Sequence, residues 1–193
     1  MTSIYLVLDM ENDLVAEEGP SGKGPLGQQV RDRGIIGRTA KAIAKARAAG
    51  VRIGYVRVGF SPDYREAPTT SVIFNGARQH GLFKLGSWGT EVHKDLAPQP
   101  GDFDIVKHRV SAFYGTNLEP VLRAHGIKRI ICSGVSTVAV VNSTVRDAHD
   151  RDYVVEVLED CCAAATTEDH EAAIRALQRF ATFTTADAVD FSG

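Results

Sequence analysis

The sequence predicts a three-layer α/β/α domain on a six-stranded, mostly parallel sheet. Three observations carry this. Short apolar runs alternate with helical patterns along the whole chain, which is how strand–helix–strand units read. The clearest runs, Ile4–Leu8 and Ile130–Cys132, are apolar without alternation, as strands covered by helices on both faces must be. The stretch 130–148 passes from such a strand, through a turn at Ser133–Thr137, into a helix with Val138, Val141, Val145 and Ala148 on one stripe. Thr137 is the expected N-cap there. The helix aims unpaired N–H groups and the positive end of its dipole beyond the strand end, where open α/β sheets hold ligands. The plain alternative, a β-turn-α unit without chemistry, stays open.

Each element follows in order. Ile4–Leu8 is a central strand ending at Asp9. The segment 15–34 is rich in glycine, proline and charge, and reads as a long irregular loop. A helix follows over 35–49, with Ile36, Ala40, Ile43 and Arg47 at helical spacing and Gly50 as its stop. Residues 51–58 are the second strand. A second long loop, 59–89, carries Phe60, Tyr64, Phe74, Phe83 and Trp88, and loops of that length with aromatics favour an ordered cover over a pocket. Residues 103–107 are the third strand. The helix over 116–125 has Thr116 as N-cap and Glu119 as its capping-box partner. Then come a strand over 129–133, a helix over 137–150, a strand over 153–158, a helix over 168–180 and a last strand over 181–184. Nothing marks an internal repeat or a linker, so a single domain over 1–193 is expected.

Composition narrows the function. The chain has 193 residues, 44% hydrophobic and 24% charged, enough for one sizeable core. A net charge of −2 with scattered basic residues argues against a nucleic-acid partner. No apolar run is long enough to span a membrane. The N-terminus lacks a basic region and reads as a strand rather than a signal peptide. Cys132, Cys161 and Cys162 form no paired framework, which fits a reducing cytoplasm.

Three strand ends carry candidate chemistry: Asp9, Lys107 and the turn from Gly134 to Val140. An acid and a base at neighbouring strand ends can transfer protons, and the alternative is a structural ion pair. The stretches VLDMEND, VKHRVSAFYGTNL and SGVSTVAVVNSTVRDA, with YVVEVLEDCCAA after them, resemble the signature segments of the isochorismatase-like hydrolases, also called cysteine hydrolases, in order and across nearly the whole chain. The resemblance implies a Rossmann-like sheet of order 3-2-1-4-5-6 with an Asp–Lys–Cys site. Asp9 and Lys107 match the acid/base pair. It also implies a cis peptide at Val135–Ser136, with backbone N–H groups of Ser136 and residue 140 forming an oxyanion hole.

The chain departs from the family pattern at the nucleophile. The family cysteine lies six residues after the motif glycine, and here that position is Val140. A valine offers no thiolate, so the covalent mechanism has no nucleophile there. The nicotinamidase branch carries an Asp and two His after the second strand. The corresponding VRVGFSPDYREAP has no histidine, and the six histidines are dispersed, mostly at surface positions, so neither metal nor other cofactor is expected. Glu11 stands where many relatives have Gln; facing inward, it would compete with Asp9 for ionisation. Asn12 reads as a loop-fixing amide, and Trp88, Phe113 and Tyr114 as pocket walls or core. His108, beside Lys107, is a further pocket candidate.

The resulting expectation is a hydrolase of a small molecule, at a vinyl ether or C–N bond, using Asp9 and Lys107 without a thiol. A catalytically vestigial binding or scaffold protein of the same fold is the alternative. An open pocket joining Asp9 and Lys107 favours the enzyme, and a filled one the scaffold. The resemblance, the apolar helix after Val140 and the aromatic loops also lead to a homodimer or larger homo-oligomer.

Overall fold

The sheet is built outward from its most buried strand. Residues 4–8 have almost no exposed surface, because both faces of this strand are covered. The structure, a computed structural model, describes residues 1–192. The strands are β1 (Ser3–Leu8), β2 (Arg52–Val58), β3 (Phe103–Lys107), β4 (Arg129–Val135), β5 (Val154–Ala163) and β6 (Thr182–Thr184). They lie in the order β3-β2-β1-β4-β5-β6, and every neighbouring pair is parallel. The helices are α1 (Asn12–Val15), α2 (Pro25–Asp32), α3 (Ile35–Ala48), α4 (Val72–His80), α5 (Leu118–Ala124), α6 (Asn142–His149) and α7 (Thr167–Leu177).

The period of two along β1 divides the core. Ile4, Leu6 and Leu8 pack with Leu118 and Leu122 of α5, Val145 of α6 and Leu177 of α7. Tyr5 and Val7 face the other way, against Val30 of α2 and Ala42, Ile43 and Ala46 of α3. A third cluster, Val58, Phe60, Tyr64, Phe74 and Ala77, forms under α4. Among the described residues no helix is long and apolar enough to cross a membrane.

The two segments read as irregular each hold a helix. α2 begins at Pro25, whose fixed φ suits a first helical turn, and buries Val30. α4 is capped by Ser71, whose Oγ accepts from Phe74 N at 3.3 Å, and stopped by Gly81 at φ +68°. The segment around α4 is ordered by Phe60, whose N donates to Phe83 O (2.8 Å) and whose O accepts from Leu85 N (2.9 Å).

Several local details differ from expectation. Thr116 lies one residue before the cap of α5, with Oγ1 donating to Ala112 O, and Glu119 pairs with Arg123 and Arg151 rather than closing a capping box. Thr137 caps nothing; its Oγ1 meets His170 Nδ1 at 2.8 Å. Residues Thr137–Val141 form a π-helical turn, with Val141 N reaching back to Ser136 O at 3.3 Å. The extra residue in that turn rotates Val138 off the apolar stripe and into solvent. β5 runs on to Ala163 after a register jump opposite Cys132–Gly134, so Cys161 and Cys162 lie inside a strand, fully buried.

Candidate active site

Past Leu8 the chain turns at Asp9, whose φ of +53° lies in the left-handed region that Asp tolerates better than most side chains. Its N donates to Val56 O at 2.8 Å, which anchors the turn on β2. Lys107 is the last residue of β3, two strands away. Neighbouring strands are about 4.8 Å apart, so only a long side chain closes that gap. Lys107 Nζ reaches Asp9 Oδ2 at 2.9 Å and donates to Arg109 O at 3.1 Å. Both side chains are buried. At the end of β4 the Val135–Ser136 peptide is cis, and the π-helical turn carries Val140.

These groups face one cavity of about 310 Å³. Its floor is Asp9, Lys107, Val135, Ser136 and Val140. Its cover is mostly apolar: Leu14 from α1, Leu26 from α2, Phe74 and Ala77 from α4, and Phe83. His80, at the end of α4, adds a polar group to the wall. A space of this size, apolar with a few convergent polar groups, suits a small molecule.

Burial lifts the Asp9 carboxyl above its ordinary range, against the opposing pull of the Lys107 ammonium and its hydrogen bond. Asp9 Oδ1 is buried and has no hydrogen-bond partner among the described residues, which leaves it available to a substrate. Burial also pushes the Cys132 thiol up to about 12, and Cys161 and Cys162 further upward. Among the described residues no cysteine lines the cavity. Among the described residues no group of three or more His, Cys, Asp or Glu is arranged to hold a metal ion.

Comparison with known proteins agrees with this architecture. The profile of the Isochorismatase domain matches residues 3–188. The chain belongs to the isochorismatase family. It is 33% identical over 200 residues to a ureidoacrylate amidohydrolase RutB of Methylorubrum extorquens, spanning 93% of this chain and 77% of that one. An isochorismatase family protein from Desulfovibrio vulgaris superposes with a TM-score of 0.85 at 28% identity, covering 97% of this chain and 95% of that one. The N-carbamoylsarcosine amidase of Thermoplasma acidophilum gives 0.76 at 28% identity, covering 98% and 99%. This isochorismatase-family chain is thus a hydrolase by kinship.

The other residues picked from the sequence lie away from the cavity. Trp88 is 48% exposed and borders a separate hollow with Asn12. Its carbonyl accepts from Asn12 Nδ2 at 2.9 Å, so Asn12 does tie the loop. Phe113 is packed into the core beside Leu118, and Tyr114, the next residue, turns outward at 67% exposure; neither is a pocket wall. His108 turns its Nδ1 to Gly59 O at 2.6 Å and stacks on Phe60. Glu11 is fully buried but does not line the cavity. His170 is buried instead of at the surface, held between Thr137 and Glu159.

In this isochorismatase-family fold the 59–89 segment covers the cavity as expected, through Phe74 and Phe83; its helical form, α4, and the part that α2 plays in the cover were not anticipated. The signal was present: Ser71 as cap, Phe74, Ala77 and His80 at helical spacing, then Gly81 as stop. Asp13 was also passed over. Its Oδ2 accepts from Phe83 N at 2.7 Å and fixes the cover to α1, a contact across 70 residues that no local pattern announces.

Proposed function

We propose that this chain hydrolyses a small, largely apolar substrate at a vinyl ether or C–N bond, with Asp9 as general acid and water, not a thiol, as nucleophile. The observation that supports this reading is the buried Asp9–Lys107 pair at the floor of an open cavity that no cysteine enters. Burial suits Asp9 to acid work, because it favours the protonated form. With a vinyl ether, the Asp9 proton goes to the vinyl carbon. Water captures the oxocarbenium ion and returns a proton to Asp9, and the hemiketal collapses to a carbonyl compound and an alcohol. With a C–N bond, water adds to the carbonyl and the Asp9 proton passes to the departing nitrogen; the carboxylate then takes the water's proton. In both cases Lys107 orients the carboxyl and tempers the charge left on it. The activities that name the two amide-cleaving relatives favour the C–N bond.

The test is a screen of vinyl ethers, amides, ureas and lactams against wild type and Asp9→Asn. Wild-type turnover should survive thiol alkylation and fall about 10²–10⁴-fold in the variant, the usual range for a lost general acid. Equal rates in the two proteins would sink the proposal. A second reading, a silent small-molecule-binding protein, rests on Val140 alone and expects binding without turnover. We also propose that the chain works as a homodimer or larger. Its three buried, unpaired thiols suit a reducing cytoplasm.

A further inference from the structure

Two residues past Asp9 lies a second carboxyl that the cavity does not reach. Glu11 has no exposed surface, and neither of its carboxyl oxygens has a hydrogen-bond partner among the described residues. The charges that act on it are Asp9 beyond β1, Lys107 from β3, Arg57 from β2 and Asp13 from α1. Glu91 and His93 flank Val92, the residue bridged to Glu11 across an antiparallel contact. Two of these groups are already engaged. Arg57 grips Asp104 through two bonds, of 2.8 and 2.6 Å, and Asp13 accepts from Phe83 N. What remains is one ammonium, Lys107, for two buried carboxyls, and it contacts Asp9 at 2.9 Å and not Glu11.

The charge of that trio depends on how many protons the carboxyls hold: −1 with none, 0 with one, +1 with two. A dry site disfavours net charge, so the state with one proton is preferred. We propose that Glu11 is the proton-holding partner of Asp9, the two buried carboxyls sharing one proton beside Lys107. This deepens the reading of Asp9 as an acid and rests on it for its catalytic meaning. Without a second carboxyl, Asp9 and Lys107 would be neutral as an ion pair, and burial would be the one influence left to hold a proton on Asp9. With it, a proton is available near neutrality. Glu11 acts through Asp9 and is a positioning residue. Burial first, and the charge of Asp9 second, push Glu11 well above its ordinary range, in keeping with the count.

The test counts protons by infrared spectroscopy on the full chain at pH 7, as the carbonyl stretch of a buried protonated carboxyl and its shift in D₂O. Wild type should show one such group. E11Q should lose it, D9N should lose it because Glu11 then pairs with Lys107, and K107M should show two. An ionised, merely structural Glu11 predicts none in wild type and one in K107M. A wild type without the band, or a band that survives E11Q at full strength, overturns the proposal. Should E11Q fail to fold, wild type and K107M still decide between the two counts. Urea unfolding against pH is the second readout. The native chain holds a proton that the unfolded chain has lost above the ordinary carboxylate range, so wild-type stability should fall as pH rises through neutrality. That slope should be absent in E11Q, and equal slopes count against the shared proton. Neither readout needs turnover. An active D9N would remove the acid role of Asp9 and leave the proton count standing, so the two failures are distinguishable.

Discussion

Val140 lines the cavity with only 2% of its surface exposed, inside the helical turn that follows β4. Its branched side chain occupies about the space a thiol would and keeps the floor apolar. Restoring sulfur there tests how much of the thiol-dependent apparatus the chain retains. A Val140→Cys thiol would stand at the start of a helix and share a cavity with Lys107, two influences that favour a thiolate. Iodoacetamide should therefore label residue 140 fast, while Cys132, Cys161 and Cys162, buried and with raised thiol pKa values, stay unlabelled. Peptide mapping reads the site. A fast native cysteine with residue 140 silent would contradict the assignment of this position. The positions of Asp9 and Lys107 at strand ends were legible in the sequence, because a charged residue there breaks an apolar run. The burial of Glu11 was not, since a carboxyl in a turn looks like a solvated one until the bridge to Val92, far along the chain, is formed.

At the scale of elements, the site depends on how closely β4 passes β1. Gly134 has φ +143°, and a Cβ there would lie 1.9 Å from Leu8 O. That contact holds Val135 and Ser136 beside Asp9. A Gly134→Ala chain must shift one strand end and adopt a backbone region that L-residues avoid. Strain of about 1–3 kcal/mol and overpacking of about 1–3 kcal/mol should together lower unfolding stability by about 2–6 kcal/mol in a urea titration. A loss under about 1 kcal/mol would mean that the close approach is not required. The strands were readable because buried parallel strands are apolar throughout. The helices α2 and α4 were obscured because glycine and proline flank them and their apolar faces are narrow. The π-helical turn is the clearest case of a feature sequence spacing cannot register. A strict helical period puts Val138 on the buried stripe, whereas one added residue turns it to solvent.

Across the whole molecule, part of the exposed apolar surface borders the cavity. Val72 and Ile73 of α4 are 97% and 56% exposed, and Val138 is 49% exposed. Ile73 lines the cavity together with Ala139, so α4 and the turn after β4 both border its mouth, with Val72 and Val138 the adjoining residues in sequence. Large exposed aliphatics on neighbouring elements are one kind of surface that a partner can cover. A formal net charge of −2 offers little electrostatic resistance to a second copy of the chain. Light scattering at micromolar concentration should therefore give at least twice the mass of the 20.8 kDa chain. Placing like charges at the covered face with Ile73→Glu and Val138→Glu should shift the mass toward that of one chain, and the fold should persist because neither position is in the buried core. A monomeric wild type would remove the argument. An oligomer indifferent to both substitutions would place the contact elsewhere on the surface.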